Sequence, residues 1–307
     1  RVPAGYGEDA CLIAIAKTMS PALRGVVAMA LAAAILTVHD VGMKILLETY
    51  SVGQIITVRQ IFGVAVLAAI IQARSDWGTV RIVNKAAVVT RSMLFVVTTV
   101  LIVASLGVLP IATVLAIVFA SPLAVALMSV PFLGERVGPR RWAAIIVGFV
   151  GVLVILRPGS PGFEVWLLLP VAAALSSGTR DIATRWAGRT DGTMSILFWS
   201  NVATVVCGLA TLPFMWRAMP VEHYALLFVL ALLNTAAHFL MIYALRVGDA
   251  ALVSPFRYTA LVWAVLLGYL VWGDIPDHWT IAGSTIVVVS GIYLALREAR
   301  LAAVRHN

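Results

Sequence analysis

The amino-acid sequence predicts an all-α membrane protein of ten transmembrane helices, arranged as two inverted five-helix repeats. Three observations predict it: the apolar content, the recurrence of apolar windows long enough to cross a bilayer, and the return of the first half's polar residues in the second. Of the 307 residues, 62% are hydrophobic and 12% charged, whereas a soluble domain holds roughly 45–50% apolar and about 25% charged residues. A soluble fold of this length could not hide so much apolar surface. That excludes a cytosolic enzyme, a secreted disulfide scaffold and a disordered chain. The net charge of +8 would point to nucleic acid in a soluble protein. In a membrane protein it reflects Lys and Arg kept in cytoplasmic loops, so no nucleic-acid partner is expected. Cys11 and Cys207 make no disulfide framework, and no Cys/His spacing suits zinc. No metal or cofactor is expected.

Cutting the chain at charge and Pro/Gly clusters leaves spans at 22–47, 52–72, 85–106, 110–132, 140–157, 164–187, 193–214, 222–245, 250–272 and 279–298, each near the ~20 residues that cross a ~30 Å hydrocarbon core. Residues 1–21 form an N-terminal cytoplasmic segment and 299–307 a cytoplasmic tail. The first span is too long for a signal-peptide core and carries His39, Asp40 and Lys44, so it reads as a retained helix. Thr37, Asp40 and Lys44 share one of its faces, and Asp40 and Lys44 can pair along it. Arg59 opens the second span on the same side. Phe95 lies in the third span, and Phe119 and Pro122 in the fourth. Gly148 and Gly151 in the fifth, like Gly283 and Gly291 in the tenth, permit close helix approach and mark scaffold or dimer contacts. The sixth span presents Ser177, Arg180, Asp181 and Thr184 on one face, followed by Arg185. Asn234, Thr235 and His238 lie in the eighth span. The ninth begins Ser254-Pro255-Phe256-Arg257-Tyr258, with Trp263 beyond.

His39, Asp40, Lys44 and Gln60 align with Arg180, Asp181, Arg185 and Asn201 at a constant offset of 141. Gly134-Glu135 aligns with Gly273-Asp274 at an offset of 139. Five spans per half make the second half enter the membrane from the opposite side, as in many secondary transporters. The match is incomplete, because Pro255 aligns with Ala116 and Pro122 has no proline counterpart. With the N-terminus inside, 14 Lys and Arg fall on the cytoplasmic side and three, Lys44, Arg157 and Arg217, on the outer side. That asymmetry places both termini in the cytoplasm.

A charge at bilayer depth costs at least ~2.5 kcal/mol, so it faces protein or a water-filled cavity. Asp40, Lys44 and Arg59 are either a fixed ion-pair clamp or an outer gate, and Arg180, Asp181 and Arg185 stand in the same relation to the inner end. His238 and Asn234 are either satisfied core groups or substrate contacts. Pro255 frees a backbone carbonyl in the preceding turn. Arg257, on one face with Ser254 and Tyr258, offers a planar fork to a carboxylate, or else bonds neighbouring carbonyls. Phe95, Phe119, Tyr258 and Trp263 could line an aromatic chamber or simply pack.

Ser121-Pro122 leading to Leu133-Gly134-Glu135-Arg136, and Arg140-Arg141-Trp142 running into Gly148-Phe149-Val150-Gly151-Val152, resemble the EamA branch of the drug/metabolite transporter superfamily. Lys44 closing the first span and Arg59 opening the second fit the same pattern. The resemblance covers nearly the whole chain and comes nearest to the bacterial aromatic amino-acid exporters. It implies a cavity lined by spans 1, 3, 4, 6, 8 and 9, with Pro122 and Pro255 as flex points. The expected function is therefore secondary transport, as an exporter of amino acids, aromatic or neutral ones included, by alternating access in a bacterial-type inner membrane. The expected partners are a small-molecule substrate and lipid, and the expected state is a monomer or homodimer. A carrier of a larger aromatic metabolite such as riboflavin is the alternative. A channel or membrane-embedded enzyme is less consistent with mixed-sign, scattered polar groups and with the lack of H-E-x-x-H, G-x-S-x-G and P-loop motifs.

Overall fold

The computed structural model describes residues 20–133, 139–159, 164–214, 216–247 and 253–306. The N-terminal segment up to residue 19 and the Gly134-Glu135-Arg136 stretch lie outside them. The described chain is helical, with no strand: α1 Pro21–Leu47, α2 Val52–Ala73, α3 Lys85–Val108, α4 Ile111–Val118, α5 Ser121–Leu133, α6 Pro139–Leu156, α7 Leu168–Ala187, α8 Thr193–Leu209, α9 Val221–Val247, α10 Thr259–Trp272 and α11 His278–His306. Short 3-10 turns stand at Trp77–Val80, Val165–Leu167 and Ser254–Tyr258.

Local chemistry explains the starts and stops. Ser20, Ser51 and Asn84 cap α1, α2 and α3 by accepting from Leu23 N, Gln54 N and Ala87 N, which satisfies donors that the first turn leaves open. Pro21 follows its cap at a position where the missing N–H costs nothing. Gly273 ends α10 at φ 72°, a left-handed conformation suited to glycine. Its N–H returns to Tyr269 O at 2.9 Å, and the turn delivers Asp274 beside α1.

Four spans differ from the sequence expectation. The fourth is broken at Phe119-Ala120 into α4 and α5, because Pro122 has no N–H for the carbonyl of Val118. The ninth opens as a 3-10 turn carrying Pro255 before α10 begins. The seventh stops at Leu209, and turns occupy 210–214, where Pro213 breaks the ladder. The tenth helix continues to His306, so the expected tail is helical through that residue.

Five of the described helices are long and apolar enough to cross a membrane: Leu23–Leu47, Val52–Ala73, Lys85–Val108, Val221–Ala244 and Pro255–Trp272. Ile111–Val125, Trp142–Leu156, Thr193–Leu209 and His278–Leu294 are shorter and apolar. The helix α7, with Arg180 and Asp181, is the most polar of the expected spans. Large apolar side chains remain exposed around the molecule, Phe239, Val262 and Ile146 among them, as a lipid-facing surface requires.

Helix pairings come in related sets. α1 packs on α9 as α3 packs on α7; α2 packs on α9 as α3 packs on α8; α1 packs on α10 as α5 packs on α7. α2 pairs with α8, α6 with α11, and α4 with α10. The α6–α11 contact is made through glycine: a Cβ on Gly283 would sit 2.5 Å from Gly151 O, and one on Gly151 would sit 2.9 Å from Gly283 O. These glycines therefore serve a contact within the chain. Gly283→Val is expected to lower stability by about 1–3 kcal/mol through overpacking, read as a lower melting temperature in detergent. An unchanged melting temperature would show that the helices separate freely.

Candidate functional site

Polar residues that the lipid would reject collect inside the bundle. Thr37, His39 and Asp40 on α1, Arg59 and Gln60 on α2, Arg91, Ser92 and Thr98 on α3, Ser177 on α7, and Ser200 and Thr204 on α8 are all buried. Gln60 donates Nε2 to Asn201 Oδ1 at 2.6 Å, joining residues 141 apart that occupy matching positions in the two halves.

At one end of this band, His39 Nδ1 lies 3.0 Å from Asp40 Oδ1. Arg59 is 4% exposed and lies in the electrostatic field of Asp40. Its Nε has no hydrogen-bond partner, nor has Nε2 of His39, which is 6% exposed. A buried polar atom without a partner is rare and needs a reason. Toward the other end, Arg180 donates to Asp181 Oδ1 at 3.0 Å and to Ser177 Oγ at 2.9 Å. Arg91 donates Nε to Thr184 Oγ1 at 3.3 Å and Nη1 to Ser200 Oγ, with its guanidinium 5.1 Å from the Phe95 ring centroid. Ser92 and Ser200 hydroxyls meet at 3.1 Å.

His238 stands on α9 as an exposed residue. Its Nδ1 donates to the Asn234 carbonyl at 2.8 Å. The ring interacts electrostatically with His39, Arg59 and Arg180, three groups on three other helices, α1, α2 and α7. The structure thus brings together His39, Asp40, Arg59, Arg180, Asp181 and His238, and Asn234 enters through its main-chain carbonyl.

Other expected residues fall elsewhere. Tyr258 is buried and stacks edge-on against Phe119, with centroids 5.2 Å apart, so the irregular turns of the fourth and ninth spans meet at this ring pair. Arg257 Nε is buried without a hydrogen-bond partner, beside Tyr258 in the turn that opens the ninth span. Trp263 is 39% exposed, on a flank of α10 away from the inward Ala260, Ala264 and Gly268, so it does not join the cluster. Phe95 supports Arg91 from below. The side chains of Ser254 and Arg185 lie outside what the structure describes. A separate apolar groove of about 340 Å³ between α10 and α11, lined by Val262, Val265, Ile281 and Val288, contains none of the charged groups.

Lys44 corrects the expectation most clearly. It does not pair with Asp40, which turns instead to His39. Lys44 Nζ donates to Leu109 O at 3.0 Å, lies 3.6 Å from Asp274 Oδ2, and sits 4.7 Å from the Trp272 ring centroid. Trp272 Nε1 donates to Glu48 Oε1 at 2.9 Å. The reason is position: Lys44 is a turn nearer the helix end, within reach of the Gly273 turn. The same end is tied by Tyr50 OH with His223 Nδ1 at 2.7 Å, and by Gln54 bonding both N and O of Arg217.

At the opposite end Asp191 accepts from Val83 N at 2.6 Å, Asn84 N at 3.0 Å and Thr190 Oγ1 at 2.7 Å. Burial pushes this carboxyl up, but the three donors together outweigh it and hold it below the usual carboxylate range. A carboxylate with a lowered pKa stabilises the fold above its unfolded value, and that contribution disappears as pH falls through the lowered one. Asp191→Asn should therefore melt a few degrees lower near neutral pH. The deficit should shrink below about pH 4, where the unfolded carboxyl protonates; a deficit constant with pH would contradict this.

Comparison with known proteins follows this geometry. Residues 23–157 and 164–297 each match the EamA-like transporter family. An S-adenosylmethionine uptake transporter of Rickettsia bellii is 30% identical over 64% of this chain and 67% of its own length. A riboflavin transporter of Rhizobium johnstonii is 35% identical over 64% and 66%, and a pseudopaline exporter of Pseudomonas aeruginosa is 27% identical over 61% and 66%. A crystal structure at 20% identity, covering 91% of this chain and 97% of its own, superposes with a TM-score of 0.62, a likeness of fold.

Proposed function

The chain belongs to the EamA-like transporter family, and from that premise we propose that it is a ten-helix secondary carrier of small organic metabolites in a bacterial inner membrane, working by alternating access. The observation that carries this reading is the set of buried polar residues drawn from both halves, His39, Asp40, Arg59, Gln60 and Arg91 with Ser177, Ser200 and Thr204. The largest helix pairings support an inverted repeat, since α1–α9, α2–α9 and α1–α10 have counterparts in α3–α7, α3–α8 and α5–α7, while smaller contacts such as α1–α3 and α4–α11 have none of comparable size. The Gln60–Asn201 bond sits where such an axis would pass.

Lys44, Asp274, Trp272 and Glu48 form the closure of one end, and the Lys/Arg count makes that end the outer one. The Phe119–Tyr258 contact joins the two irregular turns, at Pro122 and Pro255, about which the fourth and ninth spans bend.

The substrate is an amino acid or a compound built on one, a class that includes the S-adenosylmethionine of the Rickettsia relative. Riboflavin is the second reading, favoured by the Rhizobium relative. The test is uptake of labelled methionine, phenylalanine, S-adenosylmethionine and riboflavin into proteoliposomes, with and without a pH gradient. Saturable uptake of an amino-acid-bearing solute is expected. Uptake of riboflavin alone would select the second reading, and uptake of none by folded protein would defeat the carrier.

A further inference from the structure

We propose that Arg59 together with the His39–Asp40 pair forms one recognition site for an amino-acid head group, Arg59 taking the carboxylate and His39 Nε2 the ammonium; this rests on the carrier reading above. The argument starts from two buried groups with unused hydrogen-bonding capacity. Arg59 has five N–H donors in a fixed fork, is 4% exposed, and its Nε bonds nothing. Asp40 is near enough to act on it electrostatically, yet the Asp40 carboxylate bonds His39. The fork is thus left open toward the interior, the geometry that a carboxylate fills bidentately.

His39 supplies the opposite pole. Its Nδ1–H donates to the Asp40 carboxylate at 3.0 Å, which fixes the tautomer and leaves Nε2 with a lone pair. That lone pair is buried and without a donor. Arg59 acts on the same imidazole electrostatically, so fork and lone pair belong to one region. Arg59 and Asp40 cancel in formal charge. The region therefore offers separated poles without net charge, as a zwitterion does. A solute with net negative charge would find the Asp40 carboxylate opposing it.

The matching positions of the second half show the difference between a site and a strut. Arg180 and Asp181 stand where His39 and Asp40 do, and Ser200 stands where Arg59 does. There the guanidinium is occupied by Asp181 and Ser177, and Ser200 receives Arg91. That cluster is internally satisfied. Only the Arg59–His39 region, among these two, keeps donors and an acceptor available for a ligand.

The test measures binding to the purified full chain in detergent with three probes: L-phenylalanine, phenethylamine, which lacks the carboxylate, and 3-phenylpropionate, which lacks the ammonium. Wild type should bind phenylalanine at least ~10-fold more tightly than either analogue, the size of one charge-assisted hydrogen bond. Arg59→Gln should weaken phenylalanine and 3-phenylpropionate while leaving phenethylamine unchanged. His39→Phe should weaken phenylalanine and phenethylamine while leaving 3-phenylpropionate unchanged. Arg59→Lys keeps the cation and should retain part of the phenylalanine binding, which guards against misfolding of the Gln variant. Equal loss of all three probes in either variant would overturn the assignment, as would wild type that ignores the missing pole. Riboflavin uptake by the same preparation, with no binding of phenylalanine, would overturn this inference and leave the carrier standing.

Discussion

Arg91→Ala is expected to melt well below wild type, with a stability loss of about 2–4 kcal/mol and little functional protein in the membrane. The side chain is buried on α3 and reaches α7 through Thr184 and α8 through Ser200, with Phe95 beneath it. Truncation removes a fork joining three helices and leaves the volume of a long side chain unfilled, each a known source of losses of this size. The two hydroxyls keep their own main-chain bonds, to Arg180 O and Ile196 O, so they are not stranded and the loss is not larger. Arg91→Lys should recover part of the stability, because one ammonium cannot satisfy both hydroxyls with a rigid fork. Thermal unfolding in detergent measures this. A variant that melts within a degree of wild type would show that Arg91 joins nothing.

Opening the Lys44 end is the second large effect. Lys44→Met removes the carbonyl bond to Leu109, the ion pair with Asp274 and the contact over Trp272 in one substitution. Partly exposed pairs contribute roughly 0–1 kcal/mol each, so losing three shifts a two-state equilibrium by on the order of tenfold. The reporter is His238→Cys in a chain with Cys11 and Cys207 replaced, labelled by an impermeant maleimide. Labelling from the Lys44 side should rise about tenfold in Lys44→Met, and Asp274→Asn should raise it less. The double variant should add little to Lys44→Met, since both residues serve one contact. Unchanged labelling would make this cluster a fixed strut.

Much of the architecture is legible in one dimension because lipid imposes a simple rule on helix length and apolarity. The windows at 22–47, 52–72 and 85–106 match α1, α2 and α3 closely. Pro122 and Pro255 carry a local signal, the missing N–H, and the chain is irregular beside each. Partners across helices are not legible in this way. Asp40 and Lys44 share a helical face, but the choice between each other and His39 or Asp274 depends on which helix packs opposite. Arg91 is not legible as a site residue because its partners are hydroxyls on α7 and α8, some 93 and 109 residues away. Nothing in its own helix announces them. Arg59 was legible as a charge at depth, whereas its open fork appears only when every neighbour has been placed.

The central claim is that this polar band is a substrate site opened to one side at a time. Counterflow in proteoliposomes tests it most directly. Vesicles loaded with the transported solute should take up labelled solute faster than empty vesicles, because a carrier returns more quickly when loaded, and the rate should saturate with concentration. Uptake that rises linearly and ignores the internal solute would contradict the account.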